Sequence, residues 1–213
     1  MTDDSHYRAF AAAYARGVLR QPALDDEAAI AAALAAGVRL HRFKRTGGLA
    51  RVRRVIGALR GLAPARLIDV GSGRGAFLWP MLDALPEIAV TAVDVLPHRA
   101  AGLAAVGRGG ITRLTAARMD VAALGFADRS ADVVTILEVL EHLPDPAPAA
   151  REAVRVARGA VIASVPSHAD DNPEHLRLFD GPSLTALFID AGARRVAIDH
   201  VLGHIVAIAM VAP

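Results

Sequence analysis

LIDVGSGRGAF, residues Leu67 to Phe77, reads as a buried strand that stops, turns on three glycines and leads into a helix. Leu67, Ile68 and Val70 form the short apolar run of a parallel strand covered on both faces, and Asp69 stands near its carboxyl end. Gly71, Gly73 and Gly75 follow at alternate positions, where the missing Cβ lets a ligand approach the main chain. A helix beginning near Ala76 aims its free N–H groups at the same place. The stretch predicts a cradle for a nucleotide-like molecule.

Gly71, Gly73 and Ala76 also satisfy the loose dinucleotide pattern GxGxxG/A. An acid two residues before the first glycine would face a pyrophosphate with the wrong charge, so Asp69 suits a cationic ligand better. The order Asp69, Gly71, Gly73, Gly75 resembles the first motif of the class I S-adenosylmethionine-dependent methyltransferases. In that family the loop wraps the amino-acid end of a cofactor whose ammonium and sulfonium are both positive.

Working outward, strands are predicted at Leu67 to Val70, Val90 to Val95, Thr112 to Leu114, Val133 to Leu137 and Ala160 to Val165. Helices fill the gaps near Ala76 to Ala84, Arg99 to Val106 and Ala147 to Ala157, which gives right-handed crossovers and a parallel, doubly covered sheet. Pro182 to Ala191 reads as a helix. Val196 to Val201 and Ile205 to Val211 are separated only by Leu202, Gly203 and His204, and so short a link joins antiparallel strands. The fold class is α/β: a Rossmann-like sheet, mostly parallel, with a C-terminal antiparallel hairpin, as the resemblance also implies.

VTAVDVLPHR places Asp94 at the end of the second strand, where a carboxylate can accept from both ribose hydroxyls or merely cap the helix that Pro97 starts. Val95 and Leu96 can pack on an adenine face. In RMDVAAL, the resemblance implies that Asp120 takes the adenine amino group and Val121 offers its backbone N–H; the other reading of Asp120 is a solvated turn acid. TILEVLEHLPDP resembles the post-strand motif ExxEHLPDP of many small class I methyltransferases. If the strand gives way to a helical turn, Glu138, Glu141 and His142 share one face at the sheet's carboxyl edge. Glu138 then lies beside the cofactor, and Glu141 and His142 look toward the acceptor as the candidate catalytic pair, His142 as general base. The alternative is that both only tie down the loop before Pro144.

His168 and His175 lie in the following loop, where the family's acceptor contacts usually fall. Glu138, Glu141, His142 and His175 are also similar to the Glu, Glu, His, His metal set of the Hen1 RNA 2′-O-methyltransferases, a set suited to Mn²⁺, Fe²⁺ or Mg²⁺. The metal stays open, because ExxEH also occurs in relatives without one. His41 and His204 are expected to be surface or packing histidines.

The first third reads as helical: Tyr7 to Leu19, Asp26 to Leu40, and a third amphipathic helix with Thr46 and Gly47 as its cap, closed by Pro64. Residues 1–63 form a lid or substrate platform, and 64–213 the cofactor-binding domain. Net charge is only +2, yet no acid stands between Glu27 and Asp69, while Arg39, Arg42, Lys44, Arg45, Arg51, Arg53, Arg54 and Arg60 crowd together. That segment is either a solvated helix face or a groove for RNA phosphates.

The absence of cysteine excludes disulfides and thiol chemistry. The start lacks the basic and apolar regions of a signal peptide, and the longest apolar run is far below the roughly 18 residues of a membrane span. A soluble, cytoplasmic enzyme is expected. It would use S-adenosyl-L-methionine to methylate an oxygen or nitrogen of a small-molecule acceptor, with no membrane partner. The alternatives are a metal-dependent RNA methyltransferase and a noncatalytic module that binds the same cofactor.

Overall fold

The computed structural model describes residues 6–45, 48–169 and 171–211, so the expected cap at Thr46 and Gly47 lies outside the described residues. Seven strands form one sheet: β1 (Arg66–Val70), β2 (Ala89–Asp94), β3 (Leu114–Arg118), β4 (Ala131–Leu137), β5 (Ala157–Pro166), β6 (Arg195–Val201) and β7 (His204–Met210). Their order is β3-β2-β1-β4-β5-β7-β6. β1 to β5 run parallel, and β7 pairs antiparallel with both β5 and β6. The chain moves outward on one side from β1 and returns to β4 on the other, so β1 and β4 flank the switch point. Crevices at the carboxyl ends of such strands receive ligands.

Alternation along the strands sorts the core into two layers. Leu67, Val90 and Val133 pack with α3 (Ala50–Leu62), α4 (Leu78–Ala84) and α5 (Pro97–Arg108). Ile68, Val93 and Val134 pack with α6 (Ala147–Val156) and α7 (Gly181–Asp190). Asp180 caps α7 by accepting from Ser183 N at 2.8 Å, and the Ser183 hydroxyl answers the Asp180 backbone N–H, a closed capping box.

The N-terminal helices α1 (Arg8–Leu19) and α2 (Asp26–Ala35) share this core. Phe10 and Phe43 belong to the same apolar cluster as Leu67 and Trp79, with the Phe43 and Trp79 ring centroids 5.0 Å apart. α1 lies against α5 at backbone distance. A Cβ on Gly17 would stand 1.9 Å from the Ala105 carbonyl oxygen, and one on Gly109 would stand 1.7 Å from that of Ala13.

Among the boundaries that differ from expectation, two have a plain physical cause. The second helix stops at Ala35 instead of Leu40, because Gly37 turns the chain at a φ of 73° and the next residues form a short 3₁₀ turn, His41–Phe43, that buries Phe43. The third strand lies at Leu114–Arg118, beyond the predicted Thr112 to Leu114. As an edge strand bonded only to β2, it carries the half-exposed series LTAAR, whose apolar signal is weak. No helix among the described residues is long and apolar enough to cross a membrane.

Candidate active site

β1 ends in the glycine loop, and its acid is buried. Asp69 is 3% exposed, and its Oδ1 accepts from the Thr135 hydroxyl at 2.7 Å, while Oδ2 has no hydrogen-bond partner among the described residues. Burial pushes its carboxyl up from 3.8 to about 6, an effect tempered by the Ser72 and Thr135 hydroxyls and reinforced by the charge of Asp94. A buried carboxylate whose second oxygen is unpartnered is a negative pole that favours a cation beside it.

The loop needs its glycines for three different reasons. All three have positive φ: 74° at Gly71, 57° at Gly73 and 86° at Gly75. A Cβ on Gly71 would stand 2.3 Å from Val139 Cγ2, and one on Gly75 2.2 Å from the Trp79 ring, so these two are packed against protein. At Gly73 a Cβ would meet only ordinary contacts, Gly71 O at 3.7 Å and Arg99 Nη1 at 3.9 Å, so there the positive φ alone favours glycine. The helix after the loop begins at Leu78, later than Ala76, although Trp79 N already donates to Gly75 O at 3.0 Å.

Asp94 closes the loop from the β2 side. Its Oδ2 accepts from Gly73 N at 2.9 Å and its Oδ1 from Leu96 N at 2.9 Å, leaving a second lone pair on each oxygen. Val95 and Leu96 beside it are 54% and 37% exposed, an uncovered apolar surface. Met119 N donates to Asp94 O at 3.3 Å, which brings Asp120 and Val121 next to this strand end. Asp120 itself is exposed, and its Oδ1 accepts from Ala122 N at 2.9 Å in a local turn.

The turn after β4 separates residues that the sequence grouped. Glu138 takes a φ of 55°, uncommon for a non-glycine residue and typical of functional turns. Its Oε1 accepts from the Ser164 hydroxyl at 2.7 Å, its Oε2 lies 3.0 Å from His204 Nε2, and Arg51 Nε stands 3.6 Å from Oε1. His204 is therefore no mere surface or packing histidine. Three residues later Glu141, 1% exposed, joins a different group: ligand atoms of Glu141, His142 and His175 all lie within 4.8 Å of one another. Glu138 is tied to its own network instead, and the expected single face of Glu138, Glu141 and His142 does not form.

The long loop carrying His175 folds back onto this turn. Leu176 N donates to Glu141 O at 2.8 Å, Arg177 Nε to Leu143 O at 3.2 Å, and the His142 and His175 rings meet edge-on at 4.8 Å. His142 Nδ1 lies 2.9 Å from the Glu174 carbonyl. A carbonyl only accepts, so Nδ1 carries the hydrogen, and neutral His142 presents Nε2 as its basic atom. His168, in contrast, stays exposed beside Ser167 and the Gly203 turn.

Residues 68–163 match the family described as "Methyltransferase domain". A probable S-adenosylmethionine-dependent methyltransferase of Mycobacterium tuberculosis is 37% identical over 95 residues, 40% of this chain and 35% of the relative. An O-methyltransferase family protein from Burkholderia thailandensis superposes with a TM-score of 0.61 at 20% identity, over 76% of this chain and 55% of that one. The N-terminal domain of EvdMO1, solved with S-adenosylhomocysteine bound, gives 0.60 at 19% identity, over 76% and 80% of the two chains. Residues 68–163 thus resemble a methyltransferase domain, and the fold that carries them is shared with solved methyltransferases. The chain's match spans about a third of the length of the M. tuberculosis relative, 35%.

The residues at this strand edge fit S-adenosylmethionine, the cofactor named for the M. tuberculosis relative. The unpartnered Asp69 carboxylate oxygen supplies a negative pole for the ammonium and sulfonium, and Asp94 retains lone pairs for hydroxyls. A cavity of about 230 Å³ adjoins the loop where Leu49 and Val52 face Arg74, Gly75 and Ala76. The network of Arg51, Glu138, Ser164 and His204 escaped the sequence reading, which had only the unusual histidine of the hairpin turn as a clue.

Proposed function

We propose that this protein transfers the methyl group of S-adenosylmethionine to an oxygen or nitrogen of a small-molecule acceptor, with His142 as the general base. The hydrogen bond from His142 Nδ1 to the Glu174 carbonyl carries the reading, because it presents Nε2 as a proton acceptor at the strands' carboxyl edge. Asp69, Gly71, Gly73, Gly75, Asp94, Val95, Asp120, Val121 and Glu138 form or border the cofactor side. When bound, the cofactor supplies an electrophilic methyl group; the protein's part is to hold the acceptor in line with it and to take its proton. Glu141, buried under the loop, positions the turn from which His142 projects.

A small acceptor is favoured over RNA by the state of the basic segment. Arg45 and Arg54 face the carboxylates of Asp83 and Asp199, so part of its charge is answered within the protein. His41, Arg42, Lys44, Gly48 and Leu49, which border the glycine-loop cavity, support the lid or platform reading of the first third.

One observation favours a second chemistry: the fold-back of the His175 loop assembles Glu141, His142 and His175 as a possible metal triad. Ligands that share one ion at about 2.0–2.2 Å stand roughly 3 Å apart, so separations of up to 4.8 Å must close before all three can bind it. The base needs no such movement. The test is transfer of isotopically labelled methyl from S-adenosylmethionine into a cell extract, with and without chelator. Label in the small-molecule fraction, indifferent to chelator, is the expected result. Label in RNA, or activity lost to chelator and restored by Mn²⁺, overturns the small-molecule base reading.

A further inference from the structure

The amino-acid end of S-adenosylmethionine carries a negative carboxylate as well as its positive groups. The acids at the strand ends, Asp69 and Glu138, attract the positive groups and would repel that carboxylate. A site for the whole zwitterion needs a cation between the glycine loop and the turn after β4.

Arg51 occupies that position, in the first turn of α3. Leu49 and Val52 on either side of it in sequence line the cavity against Arg74, Gly75 and Ala76. Arg51 itself faces Glu138, whose neighbour Val139 fills the space beside Gly71. The guanidinium thus lies between the loop and the turn. Its side chain is only 18% exposed, yet among the described residues it forms no hydrogen bond, and none of its nitrogens is among the sealed, unpartnered atoms. Its fork of N–H donors opens to solvent in the cleft.

Glu138 does not use up this cation. Its two oxygens are bonded by Ser164 at 2.7 Å and His204 at 3.0 Å, and Arg51 stands off at 3.6 Å, beyond a hydrogen bond. His204 is itself held by the Leu202 carbonyl, 3.1 Å from its Nδ1, so the Glu138 carboxyl is fixed by Ser164 and His204 without a hydrogen bond from Arg51. Of the other cations, Arg99 stands 3.8 Å from Asp94 at the ribose end, and Arg42, Lys44 and the exposed Arg74 line the cavity on the glycine-loop side, whereas Arg51 faces the turn after β4.

We propose that Arg51 binds the α-carboxylate of the cofactor as a planar, charge-assisted fork, the positive pole opposite Asp69. Glu138, Ser164 and His204 hold it in place. The inference rests on the S-adenosylmethionine reading of the site. The test is calorimetry of wild type, Arg51→Gln and Arg51→Ala with S-adenosylhomocysteine and with 5′-methylthioadenosine, which keeps the nucleoside and sulfur but lacks both ammonium and carboxylate. S-adenosylhomocysteine affinity should fall about 10- to 100-fold in both variants, with methylthioadenosine affinity unchanged, which also shows that the variants are folded. Equal losses for both ligands, or no loss for either, would overturn the role of Arg51 alone. A wild type that binds neither ligand would overturn the cofactor reading and this inference together.

Discussion

The two halves of the site are made of different material. The cofactor half is mostly main chain, with three glycines of positive φ, two backbone N–H groups held by Asp94, and one buried acid. The half proposed for the acceptor is side chains on two loops that meet late in the chain, 138–145 and 171–180, joined by bonds such as Leu176 N to Glu141 O. A main-chain cradle is fixed by the fold itself, whereas side chains on loops can be exchanged without disturbing the sheet. The contrast predicts that damage to one half leaves the other's measurable property intact.

The largest separation should come from His142→Ala. Turnover should fall by roughly 10²-fold to 10⁴-fold, while calorimetric affinity for S-adenosylhomocysteine stays near wild type. Loss of both together would mean that the halves are not independent.

Asp69 should show the reverse pattern, with a pH signature. Its carboxyl titrates near 6 in the folded protein against an ordinary 3.8, so the folded form holds a proton that the unfolded form has released between those values. The protein should therefore gain stability as pH falls from 7 toward 4 at this site, and at neutral pH the ionised acid costs on the order of 3 kcal/mol. Cofactor affinity runs the other way: it should be full above pH 7 and weaken as the acid is protonated through pH 6. Asp69→Asn should raise the melting temperature at pH 7 and bind S-adenosylhomocysteine weakly at every pH. A variant that binds as wild type does at pH 7 would remove the negative pole.

A smaller effect is expected at Gly75→Ala. Its φ of 86° costs an alanine about 1–3 kcal/mol, and the new Cβ would displace Trp79 from 2.2 Å. Denaturant midpoint and cofactor affinity should fall together, since the loop is shared by fold and site. At the bottom of the scale, Arg54→Ala removes an exposed pair with Asp199 and should change stability by less than about 1 kcal/mol. A large loss of RNA affinity in that variant would revive the nucleic-acid reading of the basic segment.

The cofactor half was legible because its signals are local. LIDVGSGRGAF writes the strand, the acid and the turn within eleven consecutive residues, and Asp94 follows at the next strand end. The terminal hairpin was legible for the same reason. The hub around Glu138 was not, since Arg51, Ser164 and His204 reach it from α3, β5 and β7, and no spacing in the chain announces a meeting across 153 positions. The third strand slipped because an edge strand facing solvent does not need the apolar run by which strands are found. The closure of the His175 loop was also unreadable: its anchors are chiefly backbone carbonyls of 141–144 and 174, which any residue supplies.

The bond from Gly73 N to Asp94 gives the glycine loop a history that precedes the ligand. Its amide hydrogen points at a nearly sealed carboxylate, so it should exchange with deuterated solvent slowly even in the free protein, in step with the strands. Ordering a residue's backbone costs roughly 1–2 kcal/mol, and here that ordering is completed when the chain folds. Each arriving cofactor then meets a mould already set, and its binding energy goes into grip.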